Sequence, residues 1–131
     1  MYQTTANSVY SLYYHIILTV KYRKKLMHQY DSFIKQTILD LSNNHKFQVD
    51  KMESDQDHIH LLVFARPDIS PSQIVRVIKQ KTAYELWNNY EIELVQHFWK
   101  RRTFWNRSSF ISSVGVVDKS VIEHYINQQG K

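Results

Sequence analysis

Residues 47–65 read FQVDKMESDQDHIHLLVFA, and this stretch contains two strand patterns separated by a polar turn. Apolar and polar side chains alternate weakly over residues 47–52, whereas His58–Ala65 is strongly apolar. The residues between them, 54–57, are all polar and favour a tight connection. The stretch therefore predicts a β-hairpin whose second strand is strongly apolar.

One strand and one helix are predicted before this hairpin. Residues 14–22 alternate with a period of two, which is typical of a half-buried strand. From Tyr30 to Leu41 the apolar residues recur at spacings of three and four, which predicts an amphipathic helix. The polar residues 42–44 end that pattern.

A second helix is predicted shortly after the hairpin. Ser70 is a good N-cap, Pro71 fits the first helical position, and Gln73 is placed to complete a capping box. The helix should therefore begin near Pro71. Arg76, Lys79 and Ala83 follow the three-and-four spacing on one side, so one flank is predicted to be basic.

The C-terminal third predicts three more elements. Residues 91–97 favour a short strand, residues 104–114 a longer one, and Asp118 the N-cap of a last helix over about 118–129. The main order is strand, helix, strand, strand, helix, strand, helix. It predicts an α+β fold with a ferredoxin-like or RRM-like antiparallel sheet, helices on one face and an added C-terminal helix. We expect the other face to be free and residues 1–131 to form a single domain.

The composition excludes several classes of chemistry. Only two glycines are present, so neither a phosphate-binding loop nor a dinucleotide turn can be written. The absence of cysteine excludes disulfides, thiolate zinc sites and thiol nucleophiles. No apolar run approaches the roughly 20 residues that a bilayer requires, and the polar N-terminus does not resemble a signal peptide. We therefore expect a cytoplasmic protein with no membrane partner.

The chain carries a formal net charge of +5, which favours an anionic partner. The third of three basic clusters is interleaved with aromatic residues, as a single-stranded nucleic acid would require for phosphate binding and base stacking. The alternative is that the aromatic residues belong to the core and the charges to a solvated rim. The clusters are Lys21, Arg23, Lys24 and Lys25; Arg76, Lys79 and Lys81; and Lys100, Arg101, Arg102 and Arg107.

His58 and His60 lie two residues apart on a predicted strand, so both imidazoles should point to the same face. Two neutral imidazoles in a semi-buried cleft could bind one divalent metal ion. The alternative is a pair of histidines that are simply hydrogen-bonded at a sheet face. A third ligand would have to come from elsewhere, because no third histidine is close in the sequence.

Tyr125 and Gln129 lie four residues apart on the predicted last helix and so share a face. A tyrosine hydroxyl can attack a phosphodiester when its proton is accepted and a metal ion polarises the phosphate. A glutamine carbonyl can ligate that metal ion. The alternative is that Tyr125 only packs the helix onto the sheet.

Four segments together resemble the signature blocks of the small HUH single-tyrosine transposases, which move certain bacterial and archaeal insertion sequences as single-stranded DNA. The resemblance implies a metal-dependent strand transferase that needs no ATP. It implies that His58, His60 and Gln129 ligate Mg²⁺ or Mn²⁺, and that Tyr125 forms a 5′-phosphotyrosine link and releases a 3′-hydroxyl. The segments are 57–63, 21–26, 105–115 and 121–129.

The same resemblance implies DNA and protein partners. Family members are homodimers that bind subterminal DNA hairpins, and they often place the tyrosine helix of one subunit beside the histidines of the other. The first two basic clusters would hold the DNA backbone. Arg101, Arg102 and Arg107, with the neighbouring tryptophans, would lie near the base-reading or dimer side. Ser109, Gln56 and the presence of Gln128 beside Gln129 depart from the family pattern.

Three alternatives to an insertion-sequence transposase stay open from the residues. One is a non-catalytic protein that binds single-stranded nucleic acid on an RRM-like sheet. Another is a domesticated relative that processes chromosomal palindromes. The third, a metal-dependent hydrolase of small phosphoesters, is disfavoured because the sequence lacks the carboxylate cluster of a two-metal site.

Overall fold

The structure, a computed structural model of the 131-residue chain, describes residues 3–4, 9–10, 12–43 and 46–115. The predicted last helix, with Tyr125 and Gln129, lies outside the described residues. The helices and strands are β1 (Gln3–Thr4), β2 (Val9–Tyr10), β3 (Tyr13–Thr19), α1 (Met27–Ser42), β4 (Phe47–Ser54), β5 (His58–Ala65), α2 (Pro71–Leu94) and β6 (Phe110–Gly115).

Four of the strands form one antiparallel sheet in the order β4-β5-β3-β6. The predicted hairpin is present, because β4 pairs with β5 along its length from Phe47↔Ala65 to Ser54↔Ile59. Strand β3 lies between β5 and β6, so it is a central strand although it comes early in the chain. The short strands β1 and β2 pair separately. The α+β sheet architecture predicted from the sequence is confirmed.

Helices α1 and α2 contribute to the same hydrophobic core as one face of the sheet. Alternate residues of β3 and β5 point into this core, while every third or fourth residue of each helix meets them. Fully burying one such aliphatic side chain contributes about 1.5–3 kcal/mol. The central members of this core are Ile16, Leu18, Ile34, Ile38, Ile59, Leu61, Ile74 and Ile78.

The start of α2 agrees with its sequence signal. The Ser70 hydroxyl accepts a hydrogen bond from the Gln73 backbone N–H at 3.1 Å, and the Ser70 N–H donates to the Gln73 side-chain oxygen at 2.8 Å. This is the reciprocal capping box, with Pro71 at the first helical position. Helix α1 begins at Met27, three residues before the predicted start, and the Met27 N–H donates to the Gln56 carbonyl.

The short strand predicted at residues 91–97 is wrong, because α2 continues to Leu94. Leu86, Tyr90 and Leu94 recur at a spacing of four, and all three pack on the core. The backbone leaves helical geometry at Tyr90 (φ −133°, ψ 33°), so two helical segments of α2 meet there across a kink. The short alternation of apolar and polar residues resembled a strand pattern, but the four-residue spacing of the buried residues is that of a helix.

The last predicted strand begins later than expected, at Phe110 instead of residue 104. Phe104 and Trp105 are adjacent and both buried, which regular strand alternation on a half-buried sheet does not allow. Trp105 forms only an isolated bridge with Val20, and its indole N–H donates to the buried Thr82 hydroxyl at 2.7 Å. This segment is therefore an anchored loop between α2 and β6.

The sheet face opposite the helices is not free in this region, contrary to expectation. Tyr13, Leu62 and Phe64 are buried there as a second apolar cluster, and the Tyr13 and Phe64 rings meet edge to face at 4.8 Å. His15 and His60 are buried on the same face. Among the residues described, no helix is long and apolar enough to cross a membrane.

Candidate metal and DNA site

The two histidines of β5 lie on the sheet face opposite the helices. Ile59 and Leu61 alternate with them and enter the helix-covered core. The imidazole centroids of His58 and His60 are 4.7 Å apart, with the rings inclined at 75°. His60 is only 2% exposed, whereas His58 is partly open. The structure therefore brings the predicted pair together at the edge of a buried region.

A third histidine, which the sequence analysis did not associate with the pair, lies beside His60. His15 is on the neighbouring strand β3, where the register pairs it with Leu62 and pairs Ile17 with His60. Its Nε2 is 3.3 Å from Nδ1 of His60, and the two rings stack at 5.5 Å with an angle of 13°. The third histidine is therefore distant from the pair along the sequence but adjacent to it in space. One sequence signal could have identified His15. It alternates with the core residues of its strand as His60 does, so both histidines are expected on the sheet face away from the core.

His58 is held by a different partner, the carboxylate of Asp57. The Nδ1 atom of His58 is 2.7 Å from one Asp57 oxygen, and the other oxygen accepts a hydrogen bond from Nε of Arg23 at 3.0 Å. Partial burial raises the pKa of Asp57, but the hydrogen bonds from His58 and Arg23 outweigh it and hold the pKa below its usual value. The carboxylate therefore stays ionised and can keep the proton of His58 on Nδ1.

Arg23 reaches Asp57 from a strained turn at the end of β3. Residues Lys21–Arg23 form one turn of 3₁₀ helix in which Tyr22 (φ 61°) and Arg23 (φ 53°) are in the left-handed region. Each such non-glycine conformation costs on the order of 1–3 kcal/mol. Backbone hydrogen bonds hold the turn, because Val20 N–H donates to the Asp57 carbonyl and Lys21 N–H to the Phe104 carbonyl, both at 2.8 Å.

The two buried histidines are neutral at physiological pH. Burial lowers the pKa of His60 to about 4, with smaller contributions from repulsion by His58 and His15 in their charged forms. Burial also lowers the pKa of His15. A neutral imidazole keeps one lone pair for a metal ion. Within the described part of the chain, the buried Nε2 atom of His60 has no hydrogen-bond partner.

These residues fit part of a divalent metal site. Nδ1 of each β5 histidine is used by another side chain, which leaves Nε2 as the ligating atom. No group of three or more histidine, aspartate or glutamate side chains within residues 12–43 and 46–115 is arranged to hold an ion. Within this part of the chain, His58 and His60 therefore supply only part of a coordination shell.

The first and third basic clusters meet at one concave surface, here called the aromatic pocket. It is a cavity of about 190 Å³ lined by Lys21, Tyr22, Phe98, Trp99, Lys100 and Arg101, with His97 and Thr103. Tyr22 and Trp99 expose 67% and 68% of their surfaces, whereas Phe98 is buried behind them. The Tyr22 ring stacks on Phe98 at 6.4 Å. Exposed rings next to cations are suited to unpaired bases and their phosphates.

The structure divides the aromatic residues of the third cluster between buried core positions and one exposed position. Phe98, Phe104 and Trp105 belong to the core, as the alternative held. Trp99 instead faces solvent. The side chains that could stack on bases are thus fewer than the sequence count suggested.

Lys79 of the second basic cluster is engaged by the protein itself, whereas Arg76 of that cluster and Arg107 of the third cluster are exposed. Arg76 and Arg107 are exposed and flank an open depression with Lys79. The Lys79 ammonium donates to the carbonyl oxygens of Asn106 and Arg107 at 2.7 and 3.0 Å, so it holds the loop before β6 against α2. Burial lowers the pKa of Lys79, with a smaller contribution from Lys21.

The remaining predicted DNA-binding residues differ in their surroundings. Lys81 pairs with Glu85 on the same helix at 3.0 Å. Arg102 lies 3.5 Å from Glu91 and over the Trp87 ring at 5.3 Å. Both are therefore partly neutralised. Lys24 and Lys25 follow the strained turn, and Lys25 is exposed.

Comparison with known proteins finds transposases. A family model described as "Transposase IS200 like" matches residues 8–129. The ISDra2 transposase TnpA of Deinococcus radiodurans is 31% identical over 122 residues, which are 92% of this chain and 86% of that protein. The transposase for insertion sequence element IS200 of Salmonella typhimurium is 25% identical over 128 residues, covering 97% and 82%.

Solved structures agree with these sequence matches. The crystal structure of a candidate transposase from Deinococcus radiodurans R1 superposes with a TM-score of 0.77 at 25% identity, covering 97% of both chains. A REP-associated tyrosine transposase bound to a REP hairpin superposes at 0.62 with 14% identity, covering 98% of this chain and 73% of the other. The latter is a likeness of fold. The family match includes all three clustered histidines as well as Tyr125 and Gln129.

Proposed function

This chain belongs to the IS200-like transposase family, and we propose that it cleaves and rejoins single-stranded DNA at insertion-sequence ends through a 5′-phosphotyrosine intermediate on Tyr125. The observation that carries the proposal is the pair His58 and His60. Each has Nδ1 engaged by a neighbouring side chain, and the buried Nε2 of His60 is without a hydrogen-bond partner among the described residues. Such an arrangement suits metal ligation better than a purely structural role.

His58, His60 and Gln129 would hold the divalent ion. A bound Mg²⁺ or Mn²⁺ supplies positive charge at the phosphate oxygen that becomes more negative during attack. Two imidazoles and one carboxamide, completed by phosphate oxygens, form an acceptable ligand set for either ion.

Tyr125 would provide the nucleophile. Its hydroxyl transfers a proton to water as its oxygen forms a bond to phosphorus, and the bond from phosphorus to the 3′ oxygen breaks. The 3′ oxygen takes a proton from water and leaves as a hydroxyl, while the 5′ phosphate stays on Tyr125. The reverse attack by another 3′-hydroxyl releases Tyr125 and joins two strands. One phosphodiester is exchanged for another, so no nucleotide energy source is required.

The aromatic pocket and the exposed arginines would bind the DNA. Lys21 and Arg101 lie beside the exposed rings of Tyr22 and Trp99, which supports a contact with unpaired nucleotides. The proposed backbone contacts also include Arg23, Lys24, Lys25, Arg76, Lys79, Lys81, Arg102 and Arg107. Lys79 would act chiefly by holding the 106–109 loop. The hairpin in the REP-associated neighbour supports a hairpin as the bound form.

The active unit is proposed to be a homodimer in which the tyrosine helix of one subunit acts beside the histidines of its partner. The family resemblance supports this arrangement. A mixture of Tyr125→Phe and His60→Ala subunits tests it. If each reaction uses the histidines of one subunit and the tyrosine of the other, mixed dimers regain adduct formation, since one of their two sites has both groups intact. If the mixture of the two variants forms no adduct while the wild-type protein does, this arrangement is contradicted.

A covalent-adduct assay tests the reaction itself. The protein is incubated with a labelled single-stranded oligonucleotide that carries a hairpin and unpaired flanks, in Mn²⁺, and then analysed by denaturing electrophoresis. We expect a protein–DNA adduct with the wild type and at least about a 100-fold loss with Tyr125→Phe, while DNA binding is retained. Tyr84→Phe, at an exposed tyrosine on α2, is the matched control and should react normally. An adduct that persists in Tyr125→Phe would overturn the assignment of the nucleophile.

A second candidate function, favoured by the aromatic pocket alone, is binding of single-stranded nucleic acid without catalysis. The test uses hairpin oligonucleotides that match the palindromes flanking the gene. Tight binding of these hairpins without an adduct in Mg²⁺ or Mn²⁺ would support this function. The presence or absence of those palindromes would also separate an insertion-sequence enzyme from a domesticated relative that processes chromosomal palindromes.

A further inference from the structure

His15 meets His60 on the side away from the proposed ligating atom. Nε2 of His15 lies 3.3 Å from Nδ1 of His60, so one of these two nitrogens must carry the shared proton. The other ring nitrogen of His60, Nε2, is buried without a hydrogen-bond partner among the described residues. His60 is therefore bonded on one edge to a neighbouring strand and has an unused nitrogen on the other.

We propose that His15 is a positioning residue that fixes the tautomer and ring orientation of His60. This inference rests on the proposed metal site of the transposase. A neutral imidazole has one N–H and one lone pair. When His15 accepts the proton of His60 Nδ1–H, the lone pair of His60 is confined to Nε2, where it can bind the ion.

The geometry distinguishes this role from that of a third ligand. An imidazole that shares an ion with His60 would approach that ion near Nε2 of His60, whereas His15 contacts Nδ1. The rings of His15 and His60 are nearly parallel, at 13°. The Phe110 ring on β6 meets His15 at 5.9 Å and 72°. Packing on the opposite side thus helps to hold the plane of His15.

Comparison with His58 supports the same role. Asp57 contacts Nδ1 of His58 at 2.7 Å, and Arg23 holds Asp57 in turn. Both β5 histidines therefore have an outer partner on Nδ1. The partners differ chemically, since Asp57 is an ionised carboxylate whereas His15 is a neutral imidazole that chiefly orients its neighbour. His15 would accordingly affect where the proton of His60 lies.

Two substitutions separate positioning from packing. His15→Gln supplies a side-chain oxygen that can accept from His60 Nδ1–H, whereas His15→Phe fills the space with a ring that cannot. Thermal unfolding and far-ultraviolet circular dichroism check that each variant is folded. Nitrogen-15 NMR of the histidine side chains in the metal-free protein reports which His60 nitrogen is protonated, and electron paramagnetic resonance of free Mn²⁺ reports metal affinity.

We expect wild-type His60 to be the Nδ1–H tautomer. His15→Phe should mix the tautomers and weaken Mn²⁺ binding by about 10–100-fold, whereas His15→Gln should keep the tautomer and most of the affinity. A predominant Nε2–H tautomer in the wild type would overturn the proposal. Equal loss of affinity in both folded variants would do so too, because that result indicates ligation or packing. If the wild type binds no Mn²⁺, the metal proposal fails, while the NMR comparison still tests His15.

Discussion

Both faces of the sheet contain buried residues, but those around the histidines differ in chemistry from those under the helices. The face toward α1 and α2 is formed by aliphatic residues such as Ile59 and Leu61. On the opposite face, the same strand carries His58 and His60, and β3 adds His15. Burying a polar group costs free energy unless it has partners. The difference shows that the first face contributes only apolar burial, whereas the second combines its apolar cluster with buried imidazole nitrogens that the proposed metal site would use.

Substitutions at two adjacent residues of β5 should separate these roles, and they include the largest change in stability that we expect. Leu61→Ala removes a fully buried side chain from the helix-covered core and should lower the free energy of unfolding by about 2–5 kcal/mol. His60→Gln retains a polar side chain of similar size and should cost less, while Mn²⁺ binding is lost. Urea unfolding and Mn²⁺ titration of both variants provide the test. A Leu61→Ala protein as stable as His60→Gln would contradict the division between the faces.

Acid should lower the free energy of unfolding through the buried histidines of the second face. Because the pKa of His60 is lowered to about 4 in the folded protein and is near 6.5 when unfolded, the unfolded chain binds more protons between these values. Stability is then fully present above pH 6.5 and falls as the pH decreases toward 4, by up to about 3 kcal/mol from this group. The pKa of His15 is also lowered, which acts in the same direction.

Urea unfolding of the metal-free protein at pH 7 and pH 4.5 measures this loss. His60→Gln should show a smaller loss than the wild type, whereas the exposed His28→Gln control should behave as the wild type does. An unchanged pH dependence in His60→Gln would mean that other groups control acid sensitivity.

The smallest expected effect on stability concerns Tyr22, whose exposed ring lies between the two basic clusters of the aromatic pocket. Tyr22→Asn replaces a residue at φ 61° by one that tolerates the left-handed region, so stability should stay within about 1 kcal/mol of the wild type. Loss of one stacking ring should nevertheless weaken binding of a single-stranded oligonucleotide by about 1–3 kcal/mol. Fluorescence anisotropy measures this, with the exposed Tyr84→Asn on α2 as control. Equal weakening in both variants would remove the aromatic pocket from the proposed interface.

Local signals predicted the parts of the fold that depend on neighbouring residues. The polar residues 54–57 produced the predicted hairpin, and Ser70 with Gln73 produced the predicted helix start. Prediction failed at residues 91–97, where a short alternation was compatible with a helix that packs Leu94 on the core. It also failed at Phe104 and Trp105, because both are buried by contacts with distant residues such as Thr82.

The candidate site shows the same division. The sequence alone determined that His58 and His60 share a face, since strand geometry fixes the direction of alternate side chains. It also carried the family resemblance that connects them to Tyr125 and Gln129. Only the tertiary structure decided that His15 lies beside His60 and that Arg23 reaches Asp57. Those contacts depend on which strands pair, in which register, and on a strained turn, and these are set by packing between residues far apart in the chain.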